Sequence, residues 1–488
     1  MATASRRGVV LGSTAALLLV LPWLTYWSAI FRRYGMRDDY AILREAMEEP
    51  GKILRVCASF GRPLYGALLE LSMRGNDSIG ELSELRLLGV ACLGLFGAAV
   101  FLLLVREGWS LVPAALLAAF LPLTPSAQVI ASWGICWPQA VALLLGAGAF
   151  ALAPRRWPLA VLAMAMATLT YQISGLIYAV LVAAALVARR ETSLADTGRW
   201  LARHLGIMGL GLGTAFVITQ FLFKTGLFLR SPRIVFETRW LDKAAWVLTH
   251  VFPNALALSA LNSSTGTPPG YPVMVALSLA ILGVGIALEG RRAGLAASGR
   301  WLLGLVLLSA AAYSVSFLAG ERWPTYRTLF ALTGVCGVFF AASLVNLGAC
   351  WPGRGPRIAT GVLGGLVALS AWLAHRQTLE LFAEPQGREL ALMEEGARQV
   401  VPSAHPRVFV LTALQNDTSA PQRYLDEFGS VSVDTEWVAK EMWKAVLRER
   451  FPRERDVSRF YRFATGRVLP ERRQYDILVD MRRMRRGG

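Results

Sequence analysis

Apolar residues gather along this chain into eleven runs, at 9–31, 85–105, 111–130, 137–153, 158–172, 174–188, 205–223, 272–288, 301–319, 327–349 and 357–374. Most are long enough for a helix to cross the roughly 30 Å hydrocarbon core of a bilayer. Charge is pushed into the segments between them. The stretch from Trp157 to Ala188 is too long for one ordinary span and short for two, but Arg155-Arg156 precedes it and Arg189-Arg190 follows it. Short Arg-rich loops stay on the cytoplasmic side, so the stretch is expected to be a hairpin turning near Tyr171-Gln172. The same rule places Arg6-Arg7, Arg106, Arg199 with Arg203, Arg291-Arg292 with Arg300, and Arg354 with Arg357 in the cytoplasm. The segments around Asp38, Trp133, Tyr171, Lys224 to Pro272 and Glu321 then face outward, as does the region after 374. The first run starts with basic residues like a signal peptide. It nevertheless has the length of a full span and no small-residue cleavage site, so an uncleaved first helix is expected.

Three regions between or after the runs are large enough to carry a function. In residues 32–84, Tyr40 to Leu71 alternates charged and apolar residues at helical spacing, interrupted by Pro50-Gly51 and Gly61-Arg62-Pro63. Two short amphipathic helices along the membrane surface are expected there. The loop 224–271 contains Trp240, Trp246 and His250, whose aromatic rings suit an interfacial helix better than a catalytic role. In residues 375–488 a helical stretch (378–400) precedes a strand-like Arg407 to Leu411, a helix over 435–450 and a second strand-like run over 475–479. This reads as a small α/β domain in which Trp437 is expected to pack, ending in a basic tail over 481–488.

Composition agrees with a multi-span membrane protein: 55% hydrophobic, 17% charged, mean hydropathy +0.45. The net charge of +17 would suggest a nucleic-acid partner in a soluble chain, but here the basic residues follow topology. The region 375–488 is nearly balanced, with 20 basic and 17 acidic residues. Five cysteines lack CxxC spacing and four histidines are dispersed, so no metal cluster is visible. There is no Walker loop, GxSxG elbow or HExxH, which leaves nucleotide hydrolysis, serine hydrolysis and zinc proteolysis without a motif.

What stands out is Asp38-Asp39 at the outer end of the first run. Moving a sugar from a phosphate-linked donor to an alcohol needs a base for the hydroxyl proton and cations for the departing phosphate. Asp38 or Asp39 can be the base, with the other as its partner. A solvated helix end after Arg32-Arg33 is the plainer reading of the pair. Arg44, Arg62, Arg322 and Arg327 are candidate phosphate ligands, with lipid snorkelling as the alternative. Tyr171 and Gln172 can offer hydrogen bonds to sugar hydroxyls, or simply form a polar turn.

Asp38-Asp39 with Arg44 downstream, followed by Gly61-Arg62-Pro63-Leu64, resembles the first outer loop of the bacterial Gtr-type membrane glucosyltransferases of the GT-C superfamily, which include serotype-converting O-antigen enzymes. Tyr171-Gln172, Arg322 to Arg327, and Asp426-Glu427-Phe428-Gly429 followed by Trp437 are similar to the same group. One departure stands against it: the family's loop usually carries a Trp after Pro50-Gly51, and Lys52 to Phe60 has none. The resemblance implies an all-α polytopic GT-C fold in the bacterial inner membrane, with its active site in the first outer loop. It implies a polyprenyl-phosphate sugar as donor, inverting transfer of a hexose such as glucose, and a surface glycan such as lipopolysaccharide O-antigen as acceptor. Asp38 and Asp39 carry over as base and partner, and Arg62 as a residue of the loop. The phosphodiester donor supplies the energy, so no nucleotide motif is required, and Mg²⁺ or Mn²⁺ is the candidate cofactor. Two adjacent carboxylates would hold Mg²⁺ or Mn²⁺ poorly. A transporter or flippase of a lipid-linked saccharide is the rival reading, though it predicts polar residues at mid-membrane rather than at the outer ends. A membrane scaffold displaying the C-terminal domain predicts no dependence on either aspartate.

Overall fold

A computed structural model describes residues 2–189, 193–263, 266–323, 325–412, 424–425, 427–454 and 456–485. Arg190, Asp426, residues 486–488 and Pro324 within the Arg322 to Arg327 stretch lie outside the described residues. The chain opens with α1 (Ala2–Phe31), then α2 (Asp38–Glu48), α3 (Lys52–Ser59) and α4 (Pro63–Met73). The first loop therefore holds three helices, not the two expected. Both interruptions act: Gly51 and Gly61 take φ of 79° and 75°, a backbone open mainly to glycine, and Pro63 starts α4 where its missing N–H costs nothing.

The membrane region continues with α5 (Leu82–Arg106), α6 (Leu111–Phe120), α7 (Pro125–Ser132), α8 (Trp137–Leu152), α9 (Trp157–Gly175), α10 (Ile177–Ala188) and α11 (Leu194–Lys224). Between α6 and α7 the chain bends by 53°, at Pro122 and Pro125, where a proline removes a helical hydrogen bond. Tyr171 interrupts α9 with φ −150° and ψ 108°. Beyond it Gly175 faces Ala167 and Met164, so the chain doubles back at Tyr171, as the flanking arginines require. After the 225–269 loop, which holds α12 (Trp240–Trp246) and α13 (Phe252–Leu256), come α14 (Gly270–Ala293), α15 (Leu295–Leu318), α16 (Phe330–Gly348) and α17 (Gly355–Thr378).

Nine helices among the described residues are long and apolar enough to cross a membrane, ten if the bent pair counts as one span. The expected eleven is reached only by counting the short return limb of the hairpin. Glycines allow close helix packing: a Cβ on Gly94 of α5 would meet the Leu19 carbonyl of α1 at 2.3 Å, and one on Gly285 of α14 would meet Ser343 of α16 at 1.9 Å.

The expected boundary at 374 falls inside a continuous helical run. A π-turn over 379–383 joins α17 to α18 (Glu384–Ala397). The rest is the expected small α/β unit. Strands β1 (Arg407–Leu411), β2 (Arg462–Gly466) and β3 (Ile477–Asp480) form a parallel sheet in the order β2-β1-β3, and α19 (Glu436–Arg450) makes the crossover from β1 to β2. Its buried tryptophan is Trp443 on α19, not Trp437, which is 47% exposed. The first turn of a helix that packs by its other face leaves Trp437 on the outside.

Candidate functional site

All the segments predicted to face outward meet at one end of the bundle. Tyr34 donates to the Ser132 carbonyl (2.8 Å), the Ser231 N–H to the Ser59 carbonyl (3.0 Å) and the Gly320 N–H to the Val235 carbonyl (2.8 Å). Asp38-Asp39 lies within this convergence, at the first turn of α2.

The turn into α2 is strained. Arg37 has φ 45° and ψ −110°, a conformation favoured by glycine, at a typical cost of about 1–3 kcal/mol. Its neighbours hold it there. The Asp39 N–H donates to the Met36 carbonyl (3.0 Å), the Met36 N–H to Asp39 Oδ2 (2.9 Å), and the Arg37 N–H to Ser432 Oγ (2.9 Å). The second oxygen of Asp39, Oδ1, accepts from the Ile135 N–H (3.0 Å). Asp39 is fully buried, and burial pushes its carboxyl up to about 6, against the Met36 and Ile135 N–H donors and Arg86. One oxygen thus closes the turn into α2 and the other staples that turn to the one after α7.

Asp38, one helical step earlier, points elsewhere. It is only partly buried and keeps no backbone partner among the described hydrogen bonds. Burial raises its carboxyl above the ordinary aspartate value, opposed by Arg327, then Arg37, then Arg233. Arg327 is held from two sides. Its Nε pairs with Glu427 at 3.0 Å, and its guanidinium lies 5.5 Å from the centre of the Trp133 ring. Trp133 is buried, and its Nε1 finds no hydrogen-bond partner among the described residues.

The other candidates divide. Arg62, Tyr171 and Gln172 come together: Arg62 Nε donates to Gln172 Oε1 (2.8 Å), its guanidinium stacks 4.5 Å from the Tyr171 ring centre, and Gln172 Nε2 reaches the Gly61 carbonyl (3.3 Å). The pair Asp38 and Arg62 both act on the Cys57 thiol, which burial pushes up to about 12. Arg44 is turned away from this cluster: it meets Glu441 of α19 (2.6 Å) and, at the end of its own helix, Glu48 (3.0 Å) and Glu49 (2.8 Å). Arg322 pairs with Glu237 (3.4 Å) and ties two loops together. A cavity of about 210 Å³ lined by Leu43, Arg44, Met47, Lys444 and Arg448 lies between α2 and α19, and Asp38 is not among its walls.

Sequence reasoning assigned no role to Arg37, Arg233 or Trp133. The only available signals were the position of Arg37 beside Asp38 and a tryptophan at the end of an apolar run. Among the described residues, no group of three His, Cys, Asp or Glu could hold a metal ion. With both oxygens of Asp39 taken by backbone N–H groups and arginines around Asp38, the residues present do not fit Mg²⁺ or Mn²⁺.

No family model matches the chain, and none of the curated proteins does. Among solved structures, it is similar to the archaeal oligosaccharyltransferase AglB from Archaeoglobus fulgidus in complex with an inhibitory peptide and a dolichol-phosphate (13% identity, TM-score 0.45). It is also similar to the apo form of an oligosaccharyltransferase from the same organism (14% identity, TM-score 0.43). The matches cover 90% of this chain but 64% and 63% of those chains, and at these values they carry no argument about chemistry.

Proposed function

We propose that the protein is a membrane glycosyltransferase that moves a hexose, with glucose as first candidate, from a polyprenyl-phosphate donor to a hydroxyl of a cell-surface glycan such as O-antigen. One observation carries this reading. Asp38 is a partly buried carboxylate with a raised affinity for protons, presented by a strained turn beside Arg327 where the loops of one bundle end converge.

In this mechanism Asp38 takes the proton of the acceptor hydroxyl as its oxygen attacks the anomeric carbon. The bond from that carbon to the donor phosphate breaks, the configuration inverts, and the polyprenyl phosphate leaves with the electron pair. A raised proton affinity makes Asp38 a better base than a surface aspartate. Arg327 stabilises the charge developing on the phosphate, and Trp133 Nε1 offers a donor to the same group. Arg62, Tyr171 and Gln172 contribute to the floor of the sugar site. The end carrying Asp38 then faces the periplasm or exterior and the arginine-rich end the cytoplasm, in a bacterial inner membrane. Asp39 acts through the loop it holds and not on the substrate.

The test is mass analysis of surface glycans from cells lacking the gene, complemented with wild type or Asp38→Asn at matched membrane levels. Loss of a hexose mass that only wild type restores is the expected result. Restoration by Asp38→Asn, or no glycan change on deletion, rejects the proposal and favours the flippase reading.

A further inference from the structure

The C-terminal region does more than sit on the membrane helices: residues 424–425 and 427–433 of it reach the site. The Leu425 N–H donates to the Asn262 carbonyl (3.1 Å) and the Gly429 N–H to the Leu381 carbonyl (3.0 Å). Between these anchors the Phe428 ring packs edge-on against Tyr326 (5.3 Å) and Phe382 (4.9 Å). Ser432 Oγ accepts from Arg37 in the strained turn and donates to Gln386 Oε1 (2.5 Å). Glu389, fully buried on α18, accepts from the N–H groups of Ser432 (3.0 Å) and Val433 (3.2 Å). The segment thus reaches Arg37 by its far end and Arg327 by its near end, through Glu427.

Glu427 has no exposed side-chain surface. A carboxylate buried at such cost next to a cation that faces a reactive group is held there by geometry as much as by charge. The ion pair at Nε of Arg327 holds the guanidinium between Glu427 and the Trp133 ring. A fixed fork is what in-line departure of a phosphate needs.

Resting on the glycosyltransferase reading of the site, we propose that Glu427 is a positioning residue, through which the C-terminal region orients Arg327 toward the phosphate of the lipid donor. The region is then part of the active site and not an appended domain.

Charge and position make opposite predictions. Removing a negative charge beside Arg327 would tighten binding of an anionic phosphate if Glu427 only neutralised the arginine. Releasing the guanidinium weakens binding if Glu427 positions it. The experiment measures binding of undecaprenyl phosphate, without sugar, to the full-length protein in nanodiscs, alongside transfer kinetics and melting temperature. For Glu427→Gln the expected result is affinity about tenfold weaker, in the range found when a group that orients a ligand is lost, with kcat falling in step. Glu427→Asp is expected to restore both to within about threefold, since a carboxylate one methylene shorter can still meet the fork. Unchanged or tighter lipid-phosphate binding by Glu427→Gln overturns the inference, as does equal loss in both variants. If wild type binds the lipid phosphate but transfers no sugar, the glycosyltransferase reading fails by itself, and the binding series still decides the role of Glu427.

Discussion

The two ends of the helical bundle use arginine differently. At the end away from Asp38 the connections are short and several cations finish a backbone or a pair. Arg203 donates to the Ala153 and Pro154 carbonyls (3.1 and 3.3 Å), Arg106 to the Ala151 carbonyl (3.3 Å), Arg292 to Asn346 (3.1 Å), and Arg300 meets Glu289 at 3.6 Å. At the Asp38 end the charges of Arg327, Arg37 and Arg233 act on one carboxylate that caps nothing. Arginines that satisfy carbonyls at helix ends hold the bundle together. Arginines gathered on a raised carboxylate make a charged site whose cost the rest of the fold must offset.

Substitutions can break this contrast. The largest effect is expected from Asp38→Asn, which should lower kcat by about 10²–10⁴-fold, the usual contribution of a general base, while leaving the melting temperature in place. A comparable loss of stability would make Asp38 one more structural residue. Asp39→Asn should do the reverse. Asparagine offers one carbonyl where two backbone N–H groups now find partners, so about 1–3 kcal/mol of stability is lost, read as lower folded yield and melting temperature. Full stability with abolished transfer in that variant would move the chemistry to Asp39.

A smaller effect concerns the clamp under the C-terminal segment. Burial pushes the Glu389 carboxyl from 4.5 up to about 8, opposed by the Ser432 and Val433 N–H groups. The folded protein then holds this proton more tightly than the unfolded chain. Its contribution to stability is complete below the ordinary carboxylate range and is lost as pH rises through about 8. The melting temperature should therefore fall between pH 5 and about pH 8, with Glu389→Gln flattening that slope. An unchanged slope in the variant would assign the dependence to another group. Smallest of all, Arg203→Ala at the opposite end should cost less than about 1 kcal/mol and leave transfer as it is. A large loss of transfer there would erase the distinction between the ends.

Much of this was legible in the chain because it depends on local composition. Runs of Leu, Ala, Val and Gly declare spans, and Arg155-Arg156 with Arg189-Arg190 was enough to require the hairpin at Tyr171. The two glycine-containing breaks in the first loop were visible too, although they make three helices and not two. The candidate site was legible as a set of types and not as an arrangement. Arg44 and Arg62 look alike in sequence, yet one closes on α19 and the other stacks on Tyr171. Nothing local distinguishes Asp38 from Asp39.

What the sequence determined by itself is the number and polarity of apolar runs, the basic residues that flank them, and the presence of acid and base in the segments between. Those follow from transfer free energies that each segment carries alone. Only the tertiary structure decided that Asp39 spends both oxygens on backbone N–H groups while Asp38 lies in the field of three arginines, and that Glu427, a hundred residues further along the chain, reaches Arg327. Burial and the field of distant charges set those roles, and both exist only once segments remote in the chain are packed together.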